Sequence, residues 1–174
     1  MRRSLLTDRA VRDFWQPYLL TGTEKYNVPT TIIRNGHILG DGGLLKTLLP
    51  YYRWGVGGPL GSGEQWFPWI HMNDIARIYV AALHQADNVD TVNAVSNNRV
   101  RNREFSQTLA QVLSRPHIFR IPQFTLRMLF GDFAEEMLYS QRIISKAEEK
   151  LGITLQFDQL KKALHDLLGK VSHN

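Results

Sequence analysis

Apolar residues recur along the chain in two patterns, short β-branched runs and longer stretches with helical spacing. The run VPTTIIR, residues 28–34, is typical of a strand that is buried on both faces of a parallel sheet. The run TVNAVS, residues 91–96, predicts a second buried strand. The segment WFPWIH, residues 66–71, predicts a short extended piece that Pro68 limits to a sheet edge or a strand end.

Segments with helical spacing alternate with these strands. The segment NGHILGDGG, residues 35–43, predicts a loop, and the leucines after it predict a helix that ends at Pro50. A helix capped by Asn73 or Asp74 is predicted from an apolar stripe of Ile75, Ile78, Tyr79, Ala82 and Leu83. Other segments predict helices over 11–26, from Asn102, over 122–130 and 133–139, over 145–152 ending at Gly152, and from Asp158 with Leu160, Ala163, Leu164, Leu167 and Leu168 inward.

This alternation predicts an α/β fold, in which a partial parallel sheet is followed by a mostly helical C-terminal part that contains one short strand, ITLQF, residues 153–157. Two central strands need neighbours that satisfy their backbone groups, and the chain offers few candidates. An unpaired strand edge is a template for pairing, so we expect self-association or a partner chain.

The composition places the chain among globular proteins. Hydrophobic residues make up 43% and charged residues 21% of the 174 positions. No apolar run approaches the roughly 20 residues that a bilayer span needs, and the N-terminus has no secretory pattern. We therefore expect a cytoplasmic protein without a membrane segment. The chain has no cysteine, and its six histidines lack paired spacing, so no metal site is predicted.

The net charge of +5 is concentrated in one segment. Residues 99–127 contain one acidic residue, Glu104, and six arginines. These are Arg99, Arg101, Arg103, Arg115, Arg120 and Arg127. Three interpretations are open, namely a solvated face, a site for a small anion such as a diphosphate, and a nucleic-acid surface. The aromatic residues do not interleave with these arginines as base stacking requires, so nucleic acid is not favoured.

The glycine-rich stretch GGPLGSGEQ, residues 57–65, has the spacing of a phosphate-binding P-loop but not its chemistry. Glu64 and Gln65 occupy the positions where that motif has Lys and Ser or Thr. The segment instead predicts a turn with positive φ at Gly61 or Gly63. A second glycine segment, GDGG at 40–43, either enters a helix or presents amides to an anion.

Four segments resemble the C-terminal half of the epimerase-family atypical short-chain dehydrogenases/reductases, which are NAD(P)-binding proteins similar to nucleotide-sugar epimerases. They are TTIIRNGHILGDGGLLKTLLP, GVGGPLGSGEQWFPWIHMNDIARIYVAAL, VNAVSNNRVRNREFSQTLAQVLSRP and SQRIISKAEEKLGITLQFDQLKKALHDLL. The resemblance implies that residues 1–100 are part of a Rossmann-like dinucleotide-binding domain. It also implies that residues 101–170 form a small helical domain on the substrate side.

The same resemblance implies positions for a site. Arg34, Asn35 and Gly36 correspond to the family segment beside the cofactor NAD(P). Trp69 and His71 correspond to a stretch that faces the cleft, although structural hydrogen bonding is an equal alternative for His71. Arg142 corresponds to an arginine that we place toward a small-molecule substrate, possibly a nucleotide sugar in such families.

Two departures from the family pattern bear on activity. The glycine fingerprint G-G-T-G-F-I-G, which opens the first strand and holds the pyrophosphate, is absent from the sequence. No tyrosine is followed four residues later by lysine, so no catalytic residue is assigned. We expect a truncated or split oxidoreductase or isomerase that is inactive alone, and whether the chain is an enzyme stays open. The alternative is a non-catalytic binding or assembly module.

Overall fold

The computed structural model describes residues 30–85, 91–131 and 138–171. The predicted helix over 11–26 and most of that over 133–139 lie outside these residues. The described strands are β1 (Ile32–Asn35), β2 (His37–Leu39), β3 (Trp66–Phe67), β4 (Trp69–His71), β5 (Thr91–Ala94) and β6 (Val100–Arg101). The described helices are α1 (Gly43–Arg53), α2 (Met72–His84), α3 (Asn102–Val112), α4 (Gln123–Phe130), α5 (Ala147–Leu151) and α6 (Leu160–Val171).

The described strands pair as three short ladders of two strands each. β1 runs parallel to β5, β2 runs parallel to β4, and β3 runs antiparallel to β6. The Gly36 N–H donates to the Ala94 carbonyl at 3.1 Å, and the Ser96 N–H donates to the Trp69 carbonyl at 2.7 Å. These two bonds join the parallel ladders. The predicted α/β class with parallel strand pairs is therefore confirmed.

β4 is buried on both faces, although its ladder neighbour among the described strands is β2 alone. Trp69 and Ile70 are each 1% exposed and belong to two different hydrophobic clusters. Alternate residues of a strand point to opposite faces, so β4 separates the two clusters. The prediction of a strand end at Pro68 is confirmed, because β3 ends and β4 begins on either side of it.

β1 is only partly covered, which corrects the prediction of burial on both faces. Ile32 and Ile33 are half-buried, and Arg34 and Asn35 are exposed. Among the described strands, β5 is the ladder neighbour of β1. The predicted loop over 35–43 is also wrong in part, because β2 lies within it. Its glycines suggested a continuous loop, yet the ladder with β4 gives residues 37–39 strand hydrogen bonds.

The larger hydrophobic cluster holds α1, α3 and α6 together. The whole predicted stripe of α6 is buried in it: Leu160, Ala163, Leu164, Leu167 and Leu168. Phe105 and Leu109 of α3 lie in the same cluster. The helix α1 continues past Pro50 to Arg53, which corrects its predicted end. Pro50 and Lys46 are exposed, so the cost of the missing N–H is small where water can bind the Lys46 carbonyl.

α2 begins at Met72, before the predicted cap positions Asn73 and Asp74. His71 is the cap, since its Nδ1 accepts a hydrogen bond from the Asn73 N–H at 3.1 Å. Asp74 is not a cap but a buried anchor, 1% exposed. Its two carboxylate oxygens each accept one backbone N–H at 2.8 Å, from Gln156 and from Phe157.

This anchor explains why the predicted strand over 153–157 is absent. Three backbone N–H groups of that segment donate to carboxylates. Those of Gln156 and Phe157 bind Asp74, and that of Leu155 donates to Glu148 at 2.9 Å. A segment whose N–H groups are satisfied in this way has no need of a ladder. The helix before it ends at Gly152 with φ +60, as predicted. The predicted end of α4 at Gly131 is likewise confirmed, with φ +56.

Gly36 lets the end of β1 approach Pro68 and Val95 closely. A Cβ added there would lie 2.8 Å from the Pro68 carbonyl oxygen and 2.8 Å from the Val95 Cγ1 atom. We expect Gly36→Ala to lower the free energy of unfolding by about 1 to 3 kcal/mol, because backbone and a branched side chain must both shift. Urea titration followed by circular dichroism measures this change.

The matched control for this substitution is Gly169→Ala. No atom lies within 4 Å of a Cβ at Gly169, which is in α6. This control should raise stability by about 0.5 kcal/mol, because alanine is the better helix former. Equal effects of the two substitutions would contradict the close approach at Gly36.

His37 follows Gly36 and stacks on Phe67 with ring centroids 4.5 Å apart. Desolvation by burial lowers the pKa of His37 from 6.5 to about 4. Since the unfolded state binds a proton before the folded state does, this contribution to stability is present above pH 6.5 and is lost as the pH falls toward 4. We expect the loss to be about 3 kcal/mol over that window.

The variant His37→Phe keeps the stacked ring and removes the titrating group. Its free energy of unfolding should therefore fall less than that of the parent chain between about pH 7 and about pH 4.5. Denaturant titrations of both proteins at the two pH values give the difference. An identical loss in the two proteins would show that His37 does not titrate in this way.

Candidate functional site

A shallow, open groove with an enclosed volume of only about 10 Å³ lies beyond the carboxyl end of β5. Ligand sites in open α/β sheets form at this end of the strands. Three segments build its walls: the β3–β4 segment, the segment after β5, and residues 141–143. The lining residues are Trp66, Phe67, Pro68, Trp69, Val95, Ser96, Asn98, Arg99, Val100, Gln141, Arg142 and Ile143.

Two guanidinium groups lie against the indole of Trp66. The Cζ atom of Arg101 is 4.8 Å and that of Arg142 is 5.1 Å from the ring centroid. A guanidinium is attracted to the face of an indole at such distances. The backbone N–H of Trp66 donates to Ser140 Oγ at 3.0 Å, and this bond holds the segment that carries Arg142 against β3. The groove therefore has an aromatic wall with positive charge beside it.

Glu64 neutralises one part of the basic segment and leaves another. Arg103 donates to Glu64 Oε1 at 2.6 Å, and Arg101 donates to Glu64 Oε2 at 3.4 Å. In the described part of the chain, Arg99 and Arg142 make no ion pair with an acid. The two arginines that line the groove thus have no acidic partner among the described residues.

The loop before the groove is a turn, as predicted. Gly61 has φ +58 and Gly63 has φ +75, and the Gly63 N–H donates to the Leu60 carbonyl at 3.0 Å. The loop leads into β3 and not into a helix, so the P-loop interpretation fails on structure as well as on sequence. Glu64 and Gln65, which broke the motif, have structural contacts here: Glu64 pairs with arginines and Gln65 Nε2 donates to the Leu60 carbonyl at 3.0 Å.

The residues predicted beside the cofactor, Arg34, Asn35 and Gly36, follow one another at the end of β1 and do not themselves line the groove. Arg34 and Asn35 are the last two residues of β1 and are exposed. Asn35 Nδ2 donates to the Tyr79 hydroxyl at 3.1 Å. Gly36 lies directly behind the groove wall, because a Cβ there would touch Pro68 and Val95.

The glycine segment 40–43 enters a helix, since α1 begins at Gly43. No side chain caps that helix. The glycine fingerprint that holds a pyrophosphate in the family is absent from the sequence.

The structure separates the predicted substrate residues. Trp69 and Arg142 both line the groove, but Trp69 is 1% exposed and its indole N–H donates to the Asn98 carbonyl at 3.0 Å. His71 is fully buried, with its ring stacked on Phe157 at 3.8 Å. Trp69 therefore lines the groove with little exposed surface, whereas His71 does not line it.

The contacts of His71 support the structural alternative for that residue. Its Nδ1 accepts the Asn73 N–H, so the proton of a neutral ring lies on Nε2. Nε2 is 3.3 Å from Asp166 Oδ2 on α6. His71 thereby links β4, α2 and α6, and it does not lie in the groove.

Sequence reasoning did not single out two groove residues, Trp66 and Arg99, or the contact of Arg101 with Trp66. The basic segment was recognised, but nothing in its spacing showed which of its arginines would reach an indole 35 positions away in the chain. The described residues contain no group of three His, Cys, Asp or Glu side chains that could hold a metal ion. Among them, no helix has the length and apolar character that a bilayer crossing needs.

Two family models match the sequence. Residues 17–96 match the NAD dependent epimerase/dehydratase family, and residues 121–167 match a domain of unknown function, DUF1731. The epimerase family protein SDR39U1 homolog, chloroplastic, of Arabidopsis thaliana is 36% identical over 143 residues, which is 82% of this chain and 41% of that protein. The epimerase family protein SDR39U1 of Mus musculus is 36% identical over 140 residues, 79% of this chain and 47% of that protein.

Solved structures give the same relationship. The human epimerase family protein SDR39U1 (isoform 2), crystallised with NADPH, has a TM-score of 0.74 and 33% identity, and the match covers 80% of this chain and 48% of that one. The UDP-glucose 4-epimerase of Thermotoga maritima, with UDP-glucose, has a TM-score of 0.68 at 18% identity, covering 91% and 50%, and shows the fold alone.

The chain spans about half the length of the relatives that it matches. The chain matches one family in sequence and in fold. It belongs to the epimerase family of NAD(P)-binding proteins related to the short-chain dehydrogenases/reductases.

Proposed function

We propose that this chain forms the substrate side, and one edge of the cofactor side, of an NAD(P)-dependent oxidoreductase or nucleotide-sugar epimerase-like site. The observation that carries the proposal is the groove itself. Arg99 and Arg142 lie in it without an acidic partner among the described residues, and it opens beside the exposed end of β1. Arginine binds phosphate oxygens through two parallel N–H donors, so an anionic substrate with a phosphate or diphosphate suits this groove.

The indole of Trp66 contacts one of these two guanidinium groups, that of Arg142. The contact of Arg142 with Trp66 limits the number of rotamers that its guanidinium adopts. Pre-orienting a donor in this way reduces the entropy lost when a ligand binds. Arg101 contacts the same indole but also donates to the Glu64 carbonyl at 2.6 Å, so it supports Trp66 and not the ligand.

Arg34, Asn35 and Gly36 are proposed to hold the nicotinamide end of NAD(P). The structure of the human relative contains NADPH, and the matched family is described as NAD dependent. When bound, this cofactor supplies hydride transfer. Gly36 allows the end of β1 to pass close to Pro68, which keeps the side chains of Arg34 and Asn35 next to the groove.

The chain is proposed to be inactive alone. A hydride transfer to or from an alcohol needs a proton donor or acceptor within hydrogen-bond reach. The tyrosine and lysine pair used by the wider superfamily is absent from the sequence, as is the glycine fingerprint. The division at residue 100 into a cofactor part and a helical substrate part is also proposed, and so is a cytoplasmic location.

A non-catalytic binding or assembly module is the second candidate. One observation favours it: several large apolar side chains of α2 are exposed, among them Leu83 at 80%. Contiguous exposed apolar surface marks interaction sites. This candidate predicts binding of a macromolecule without any affinity for a cofactor or a nucleotide sugar.

The two candidates differ in ligand binding, which the tryptophans report. Trp66 and Trp69 line the groove, so a ligand there should quench the intrinsic fluorescence of the chain. We expect UDP-glucose, used as a nucleotide-sugar probe, to give a saturable change, whereas NAD and NADPH give none at micromolar concentration. Arg142→Ala should weaken UDP-glucose binding about tenfold, because a charge-assisted contact is lost.

Arg115→Ala is the matched control, since Arg115 is an exposed arginine outside the groove. It should leave the apparent Kd of UDP-glucose within a factor of about two. Equal losses from the two substitutions would contradict the groove as the binding site. Micromolar binding of NADPH by the chain alone would contradict the proposal that cofactor binding requires the glycine fingerprint, which this sequence lacks.

A further inference from the structure

A surface that combines exposed apolar side chains with positive charge lies outside the larger hydrophobic cluster. Two segments form it, 53–56 at the end of α1 and 115–121 before α4. A Cβ added at Gly55 would lie 3.4 Å from Pro116 Cγ, so the two segments are in contact. We call this region the Trp54 surface. Its apolar members are Trp54, Val56, Ile118 and Phe119, and its charged members are Arg53, Arg115 and Arg120.

The apolar members of the Trp54 surface are unusually exposed for their size. Trp54 is 78% exposed, Ile118 77% and Phe119 54%. The helix α4, which follows directly, exposes Phe124 by 71% and Met128 by 77%. These two residues are four apart, so they lie on one side of that helix. Single exposed apolar residues are ordinary on a protein surface, whereas several large ones together mark an interaction site.

The charge of the segments around this surface has one sign. Residues 42–63 and 105–131 contain no aspartate and no glutamate. Arg53, Arg115 and Arg120 are exposed, and none of them forms an ion pair with an acid in the described part of the chain. A symmetric contact with a second copy would bring these like charges together, which is unfavourable. The surface is therefore complementary to an anionic partner.

Buried hydrogen bonds hold both segments in place. Ser106 Oγ, on α3, lies 2.5 Å from the Tyr52 hydroxyl and 2.9 Å from His117 Nε2. The Ile121 N–H donates to the Pro59 carbonyl at 3.0 Å. The backbone beside the exposed residues is thus fixed before any partner binds. Such pre-organisation reduces the entropy that binding would otherwise cost.

The arrangement of apolar and basic residues distinguishes between classes of partner. Protein interfaces collect apolar residues at a core from which charged residues are depleted. Here an arginine is the immediate neighbour in sequence of Trp54, of Phe119 and of Met128. A single-stranded nucleic acid stacks its bases on aromatic rings, and an aliphatic residue such as Ile118 offers no such ring. Neither class accounts for the mixture.

A lipid bilayer with anionic headgroups accounts for all of these features. Tryptophan is enriched at the boundary between headgroups and acyl chains, where its ring is partly in apolar and partly in polar surroundings. Arginine places its apolar stem along the hydrocarbon and its guanidinium among the phosphates. Each basic residue near an anionic leaflet adds electrostatic attraction, and aliphatic side chains add apolar burial.

We propose that the Trp54 surface binds this chain to one face of an anionic lipid bilayer. The apolar side chains enter the boundary between headgroups and acyl chains, while the three arginines bind lipid phosphates. This mode of binding needs no helix that crosses the bilayer. No member of the Trp54 surface lines the groove, so the inference goes beyond the proposed function and does not depend on the groove's ligand.

The test is co-sedimentation of the complete chain with vesicles. One preparation contains phosphatidylglycerol and phosphatidylcholine in equal parts, and the other contains phosphatidylcholine alone. We expect the partition coefficient to be at least about tenfold higher for the anionic vesicles. It should fall as salt is added, because salt screens exposed charges. Entry of the Trp54 indole into apolar surroundings should shift the fluorescence emission of the chain to shorter wavelength.

Two substitutions separate the electrostatic and the apolar contributions. Arg120→Gln should lower the partition coefficient for anionic vesicles about fivefold, because one basic contact with the leaflet is lost. Ile118→Ser should lower it about tenfold, because an apolar side chain no longer enters the bilayer.

The matched controls lie on α2. Arg77→Gln removes another exposed arginine, and Leu83→Ser replaces a side chain that is 80% exposed, close to the 77% of Ile118. Both should leave the partition coefficient within a factor of about two. Circular dichroism of each variant alone establishes that it is folded. The apparent Kd of UDP-glucose should be unchanged in all four variants, since none of the replaced residues lines the groove.

Four results would overturn the proposal. The first is no binding of the parent chain to anionic vesicles at low salt. The second is an equal loss from the Ile118 and Leu83 variants, or from the Arg120 and Arg77 variants. The third is tighter binding to a short single-stranded RNA than to the vesicles. The fourth is a dimer of the chain, seen by sedimentation equilibrium and abolished by Ile118→Ser, since a second copy would then cover the surface.

Discussion

Three residues of β4 lie between two hydrophobic clusters, and each has a different structural task. Trp69 packs into the larger cluster and closes the floor of the groove, while Ile70 packs into the smaller cluster under α2. His71 caps α2 and approaches Asp166 on α6. Because the three side chains point alternately to opposite faces, moving β4 by one residue would place each in the wrong environment. The register of β2, β4 and α2 is fixed together.

Two buried polar contacts extend this arrangement to the C-terminal helices. Asp74 binds the backbone of Gln156 and Phe157, and Phe157 stacks on His71. The segment before α6 is thus held by a carboxylate and an imidazole that both belong to the start of α2. A buried carboxylate is costly unless it is fully hydrogen-bonded, and the two backbone N–H groups provide those bonds. The predicted boundary at residue 100 therefore separates segments that share one hydrophobic cluster.

The groove combines guanidinium groups with the indole of Trp66, and its walls come from segments that are far apart in the chain. The end of β1 is tied to α2, because Asn35 donates a hydrogen bond to the Tyr79 hydroxyl. Gly36 then brings the chain against Pro68 and Val95, two residues that line the groove. The position of the groove relative to the parallel strands therefore depends on the close approach at Gly36.

The sequence by itself determined the α/β class, the presence of two strands of a parallel sheet, the buried stripe of α6 and the turns at Gly61, Gly63 and Gly152. These features depend on local periodicity and on glycine conformation, which neighbouring residues alone specify. Only the tertiary structure decided which strands pair, that β4 is buried on both faces while β1 is partly exposed, that Asp74 is an anchor, and which arginines reach Trp66. Those outcomes depend on contacts between residues far apart in the chain, whose strength and burial no local pattern encodes.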